Sequence, residues 1–383
     1  MDVKPLTLPA LTGVRFVAAL WVVAYHVARP WLSAHEASPL SVSLADRGRD
    51  LLAGAPFAVT LFFVLSGFVL TWVYAPHVAG GMNTRAFAAA RLSRVVPIYV
   101  LAVAAAVPIG VVARARGMVE DGYLSLLWVA SATQAWIPDA ALSWNPPLWS
   151  VSVEVAFYFS FLWLLPRLVR AAPRTLVGLA VAAWALSLGG GILYAALDPD
   201  GIARGVGHVR VESRGFWLHV LRFNPLARFP DLLTGMVAAR LFLDGARLPR
   251  SAGTLGAFAI ALVLASGVVP VPLLHGSLLA PLAAVLVVSL AQGDGPVARL
   301  LATTTMQRLG ETSYALYALH IPVWLWMAAL SGRKLEDFSA LFSLAVVLAS
   351  IAAAACAHIA LERPLRERLR AMVAKGPPRP TSA

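Results

Sequence analysis

Apolar segments long enough to cross a bilayer recur along this 383-residue sequence, separated by short loops rich in arginine, proline and glycine. Such a chain has few folding options. Within hydrocarbon every backbone N–H and C=O must find its partner inside the protein, and a segment of roughly 20 apolar residues meets that demand as a helix. About ten segments qualify, at approximately 11–32, 53–74, 95–113, 146–165, 175–197, 229–243, 254–271, 277–291, 309–330 and 340–361. The expected fold is an all-α polytopic membrane protein of about ten transmembrane helices. One membrane domain is expected over 1–370, with a short basic, proline-rich tail over 371–383.

Composition separates this reading from its soluble alternatives. The chain is 59% hydrophobic and 13% charged, where a soluble domain is nearer ~45–50% apolar and ~25% charged. A net charge of +12 would suit a nucleic-acid partner, but the arginines fall between spans and no aromatic-plus-basic stripe accompanies them. Headgroup contact and topology account for them, and no nucleic acid is expected. The single Cys356 lies in an apolar run, with no second cysteine for a disulfide or a thiolate metal site, and is expected to pack. Arg15 interrupts the first apolar stretch and no small-residue cleavage site follows it, so this stretch is expected to be a permanent helix rather than a signal peptide.

The arginines also orient the chain. Residues 124–136 form a short apolar stretch containing Ser131, Thr133 and Gln134. Its length suits an interfacial or re-entrant segment better than a span. With that segment kept out of the count, Arg85, Arg91 and Arg94, then Arg167, Arg170 and Arg174, then Arg240, Arg247 and Arg250, then Arg299 and Arg308 all face the cytoplasm, as do both termini. The segment 198–228 carries Arg204, Arg210, Arg214, Arg222 and Arg228 and is expected outside, as a loop covering a site. Its glycines and prolines argue against a packed domain there.

The chemistry is expected from polar residues that a membrane helix normally avoids. The stretch "TGVRFVAALWVVAYHVARPW" holds Arg15 and His26 eleven residues apart, about three helical turns, which puts both on one face roughly 16 Å apart. Arg15 is then inner and His26 outer. Taken singly, Arg15 also reads as a snorkelling anchor and His26 as a ring bonded to a nearby carbonyl. Glu154, in "WSVSVEVAFY", lies about two turns inside the outer end of an inward-running helix, a depth at which it is expected to meet His26. An arginine or a substrate hydroxyl is its alternative partner. Arg91 and Arg94, in "RLSRVVPIY", form a fork suited to phosphate oxygens, though positive-inside anchoring would also explain them. The stretch "LGETSYALYALHIPVW" contributes Ser313, Tyr314, Tyr317 and His320. Asp231, in "RFPDLLTGM", is expected either to pair with Arg228 or to reach the same cavity. His358 reads as structural. H-E-x-x-H, G-x-S-x-G and P-loop patterns are all missing, and no metal is expected.

Taken in order, "RFVAALWVVAYH", "FFVLSGFVL", "RLSRVVPIY", "WSVSVEVAFY", "LGETSYALYALHIPV" and "ERPLRERL" resemble the motif set of the acyltransferase-3 family of integral membrane acyltransferases. The resemblance runs from about residue 8 to 369. It implies a multi-pass protein of the bacterial inner membrane that transfers an acyl group, usually acetyl, from cytoplasmic acyl-CoA to a hydroxyl. The acceptor it suggests first is a sugar of an exopolysaccharide, a lipopolysaccharide O-unit or another surface glycan, and second a small-molecule glycoside or antibiotic. Carried onto this sequence, Arg15, Arg91 and Arg94 would hold the acyl-CoA, and His26 and Glu154 would be catalytic. Asp231, Ser313, Tyr317 and His320 would contact substrate. His26 is either a general base, with Glu154 orienting its ring, or a nucleophile that carries the acyl group. The rival reading is a proton-coupled transporter or flippase of a small or lipid-linked substrate, with Arg15, His26, Glu154, Asp231 and His320 as its path. Inverted repeats and paired interrupted helices would favour it, and neither is legible here.

Overall fold

The computed structural model describes residues 8–34, 43–119, 121–201, 215–267, 269–334 and 339–374. Within them the chain is helical, with no strand. The helices are α1 (Pro9–Ala34), α2 (Leu44–Ala53), α3 (Pro56–Tyr74), α4 (Thr84–Ala115), α5 (Ser125–Ala130), α6 (Trp149–Arg170), α7 (Pro173–Leu197), α8 (Phe216–Phe223) and α9 (Pro225–Leu243). They continue with α10 (Ala252–Ala265), α11 (Val271–His275), α12 (Ala280–Gln292), α13 (Gly295–Leu301), α14 (Thr304–Glu311), α15 (Ser313–Ser331), α16 (Ala340–Ala357) and α17 (Arg363–Ala374). The tail from residue 375 and the loop 202–214, with Arg204, Arg210 and Arg214, lie outside the described residues.

The protein is an all-α polytopic membrane protein. Each of the apolar segments read from the sequence is helical, but among the described residues only 7 helices are individually long and apolar enough to cross a bilayer: α1, α3, α4, α6, α7, α15 and α16. The other three fall short for separate physical reasons. Helix α9 has the length, at 19 residues, but carries Arg228, Asp231 and Arg240. Helix α10 has 14 residues, about 21 Å against a hydrocarbon core of ~30 Å. Helix α12 breaks at Gly293, in the left-handed region at φ 76°, and turns 75° into α13. The stretch 124–136 contains the six-residue α5 followed by turns, which at about 9 Å is too short to cross.

Local sequence sets the helix ends that matter for the site. Asn83 caps α4 by accepting from the Ala86 N–H at 3.0 Å. Asn224 caps α9 by accepting from Leu226 at 2.9 Å, with Pro225 in the first turn where it forfeits no hydrogen bond. Four 3-10 and loop residues, Asn145 to Leu148, precede α6 and are anchored by the Asn145 amide, which donates to the Ala318 carbonyl at 3.0 Å. Helix α6 therefore starts level with the middle of α15, well inside the bundle.

Helices α3 and α9 form the tightest contact in the bundle. A Cβ on Gly67 would collide with the Leu232 carbonyl and one on Gly235 with the Val64 carbonyl, so these glycines let two backbones touch. Around this pair the core is filled by Phe68, Phe157, Phe161, Leu232, Met236 and Leu316, all essentially inaccessible to solvent. Replacing Gly235 by Ala is expected to cost about 1–3 kcal/mol by forcing α3 and α9 apart. Gly178→Ala, on a face of α7 with no neighbour, serves as the control. Thermal unfolding of the purified protein in detergent measures both, and equal midpoints for the two variants would show that the close contact is not needed.

Candidate active site

Five helices place polar side chains around one cavity of about 100 Å³ in the bundle interior. Helix α1 supplies Arg15, α3 supplies Phe62, Phe63 and Ser66, α4 supplies Arg91 and Arg94, α6 supplies Ser150 and Glu154, and α15 supplies Ser313, Tyr314 and Tyr317. Six of the sequence candidates thus share one wall: Arg15, Arg91, Arg94, Glu154, Ser313 and Tyr317. Ser66 lines the same space, whereas its neighbour Gly67 faces α9.

The arginine end of the cavity is short of counter-charge. Among the described residues no salt bridge involves Arg15, Arg91, Arg94 or Glu154. The Nε of Arg91 is buried with no hydrogen-bond partner, and its guanidinium lies 5.9 Å from the centre of the Tyr74 ring. Glu154 instead accepts a hydrogen bond from the Tyr158 hydroxyl at 2.7 Å. Within electrostatic reach of Arg15 are Glu154 and Glu362 and, with the opposite effect, Arg94. Glu362 is buried and accepts from Nδ1 of His358 at 2.9 Å on a single π-helical turn, His358–Glu362, between α16 and α17. His358 also faces Glu311 at 4.0 Å.

At the other end the wall is neutral. The Ser150 hydroxyl donates either to Tyr317 Oη at 2.9 Å or to the Pro147 carbonyl at 3.1 Å, and Tyr317 Oη donates to that same carbonyl at 3.0 Å. One turn beyond Tyr317 stands His320, fully buried. Its Nε2 is 3.0 Å from Nδ1 of His26, and the two rings lie 5.0 Å apart at 32°. Helix α1 is continuous from Pro9 to Ala34, so Arg15 and His26 are separated by about 16 Å along one face.

The structure corrects one expected contact. Glu154 was expected to meet His26, yet the partner of His26 is His320 and that of Glu154 is Tyr158. The depths differ because α6 begins inside the bundle rather than at its surface. Ser150 is level with Tyr317; Glu154 lies four residues toward the arginine end and His320 three residues the other way, a separation of about 10 Å along the axes. Asp231 is also apart from the cavity wall. It forms a fully buried ion pair with Arg228 at 2.6 Å, and Arg228 Nη2 also donates to Thr60 Oγ1 at 2.6 Å. Three residues of the site were not among the sequence candidates: Ser150, Tyr158 and Glu362. Glu362 alone had a visible signal, a carboxylate at the end of the last apolar run.

The family model described as an acyltransferase domain, of the acyltransferase-3 type, matches residues 8–360. The chain is 29% identical over 386 aligned residues to "Acyltransferase MdmB" of Streptomyces mycarofaciens, an alignment covering 95% of this chain and 93% of that one. It is 39% identical over 95 residues to "Protein 2 in picA locus" of Rhizobium radiobacter, covering 24% of this chain and 41% of that one. No solved structure matches the chain.

The contrast between the two arginine environments yields a direct test. Removing the Asp231 carboxylate strands Arg228 in the core, so Asp231→Ala is expected to lose about 3–5 kcal/mol of stability, with much of it recovered in Asp231→Leu/Arg228→Leu. Thermal unfolding of the three proteins checks this. An Asp231→Ala midpoint equal to that of the parent would return Asp231 to the substrate candidates.

Proposed function

The chain belongs to the acyltransferase-3 family of membrane acyltransferases, and from that premise we propose that it moves an acyl group, acetyl in the first instance, from acyl-CoA to a hydroxyl of a carbohydrate-containing acceptor. The observation that carries this reading is the convergence of Arg15, Arg91 and Arg94, none of them ion-paired among the described residues, on the same cavity wall as the uncharged Ser150–Tyr317 contact. Three guanidinium groups facing few carboxylates select an anion, and the phosphates of coenzyme A fit that requirement. The bacterial inner membrane, with the arginine end toward the cytoplasm where acyl-CoA is made, agrees with the distribution of arginines along the chain.

In the proposed reaction the nucleotide stays at the arginine end and the pantetheine arm runs along α1. That arm is of the same order as the roughly 16 Å from Arg15 to His26, so the thioester reaches the histidine without the nucleotide crossing. His26 then takes the proton of the acceptor hydroxyl while its oxygen attacks the thioester carbonyl. The carbon–sulfur bond breaks, the ester forms, and the departing thiolate recovers the proton from the imidazolium. Glu154, beside the arginines, keeps them from repelling one another before the donor arrives and holds Tyr158 in the wall.

The acceptor is proposed to be a sugar hydroxyl of a surface glycan, with a small-molecule glycoside second. Mass spectrometry of alkali-labile acyl groups on the host's surface glycans, comparing the intact protein, a deletion and His26→Ala, tests it. An acyl mark present only with the intact protein is expected, and three identical profiles would refute the glycan assignment. With purified protein, Arg91→Ala and Arg15→Ala are each expected to raise KM for acyl-CoA about tenfold, roughly 1.4 kcal/mol, with a smaller effect on kcat. His26→Ala is expected to lower kcat by about 10²–10⁴-fold at equal membrane abundance. Wild-type donor dependence in both arginine variants would make those residues topological anchors only.

A further inference from the structure

The contact between His26 and His320 fixes more than position. His320 Nδ1 lies 2.7 Å from the Tyr317 carbonyl oxygen. A carbonyl only accepts, so that nitrogen carries the ring proton. In a neutral imidazole one nitrogen donates and the other accepts, which leaves a lone pair on His320 Nε2. This lone pair faces His26 Nδ1 at 3.0 Å, so Nδ1 of His26 must in turn be the donor. The unprotonated nitrogen of His26 is then Nε2, on the far side of the ring from His320.

We propose that His320 is a positioning residue, which through the chain Tyr317 carbonyl, His320, His26 locks His26 in the Nδ1–H tautomer with its Nε2 lone pair free to accept a proton. An imidazole in water favours the opposite tautomer, with the proton on Nε2, where a base would have no lone pair to offer. The usual solution is a carboxylate that accepts the Nδ1 proton. Here a second, neutral ring does so: no ion pair reaches either histidine among the described residues, and the nearest carboxylate of the cavity, Glu154, is engaged by Tyr158. A neutral acceptor has a structural advantage in this place. It holds the tautomer without burying a further charge in the bundle, where an uncompensated one is costly. Helix geometry supplies the anchor at no added complexity, because the Tyr317 carbonyl is one turn before His320 on the same helix. Pro322, two residues past His320, lacks the N–H that would bond the Ala318 carbonyl, and the Asn145 amide donates to that carbonyl in its place at 3.0 Å.

The proposal rests on His26 being the base, and two measurements keep the ideas separate. The first is ¹⁵N NMR of the histidine rings in the full-length protein in nanodiscs, with His26 assigned by its loss in His26→Asn. His26 is expected to show a protonated Nδ1 and an unprotonated Nε2, and to lose that preference in His320→Leu. A wild-type His26 protonated on Nε2, or an Nδ1–H tautomer that persists in His320→Leu, overturns the proposal. The second is acyl transfer from acetyl-CoA. His320→Leu is expected to lower kcat about 100-fold or more with little change in KM for acetyl-CoA. His320→Gln, whose side-chain carbonyl accepts from His26 Nδ1, is expected to restore at least a tenth of the parent kcat. Equal losses in His320→Leu and His320→Gln at equal thermal stability also overturn the proposal. Full turnover by His26→Ala would sink the base assignment while leaving the tautomer result to stand by itself.

Discussion

A guanidinium inside a helix bundle has to be balanced by whatever the bundle places around it, because hydrocarbon offers nothing. The two arginine environments in this protein resolve that constraint in opposite ways. Arg228 is closed off: its own helix presents Asp231 one turn later, Thr60 of α3 takes a further donor, and the pair is sealed from solvent. Arg15, Arg91 and Arg94 come from two helices, converge on a void and have no salt bridge among the described residues. A fold that gives one buried arginine a carboxylate at 2.6 Å, yet leaves three facing a cavity with Glu154 in its wall and Glu362 within electrostatic reach of Arg15, supports the proposal that those three await an anion that is not part of the chain.

The remaining geometry follows from helix register. Helix α1 is unbroken, so Arg15 and His26 stay on one face at a fixed separation. Helices α15 and α6 run past the same cavity in opposite directions, pinned where Ser150 meets Tyr317 and where Asn145 holds Ala318. From that level the polar groups sort by depth. Toward one side lie Glu154, Tyr314 and the arginines, and toward the other His320 and His26. In the proposed reaction, charged recognition and proton transfer thereby occupy separate layers, joined by the neutral Ser150–Tyr317 contact past which the thioester would run.

Much of this was legible in the sequence, and its failures are physical ones. The periodicity that puts Arg15 and His26 on one face depends only on 3.6 residues per turn and holds because nothing breaks α1. The basic fork at Arg91 and Arg94 and the polar run through Ser313 and Tyr317 carried residue types that an apolar helix does not otherwise keep. Glu154 was misplaced because depth was counted from a helix end presumed to lie at the membrane surface. Residues 145–148 are instead anchored inside the bundle, where the Asn145 amide donates to the Ala318 carbonyl, and no span-length argument contains that tertiary contact. Helix α9 was read as a span over 229–243, with Arg228 left in the preceding loop and Asp231 either pairing with it or reaching the cavity; both residues belong to the helix, where they pair, and it is held against α3 by Gly67 and Gly235. Glu362 was visible as a carboxylate at the end of the last apolar run, but its burial was not legible, because at the boundary with a basic segment such a group usually faces water.

The division into layers bears on how such a fold keeps one reaction while its acceptor changes. The arginines, Glu154, Tyr317 and the two histidines reside on long helices whose register is fixed by backbone contact, as at Gly67 and Gly235, where even one methyl group does not fit. In the proposed reaction, donor binding and proton transfer are therefore tied to the core packing, which cannot shift without cost to the fold. The short α8 is tied in as well, with Leu218 and Phe223 buried and the Phe223 ring 4.8 Å from that of Trp149. An alignment that covers 95% of this chain and 93% of its relative at 29% identity shows that the resemblance runs along the whole helix bundle rather than through one segment of it.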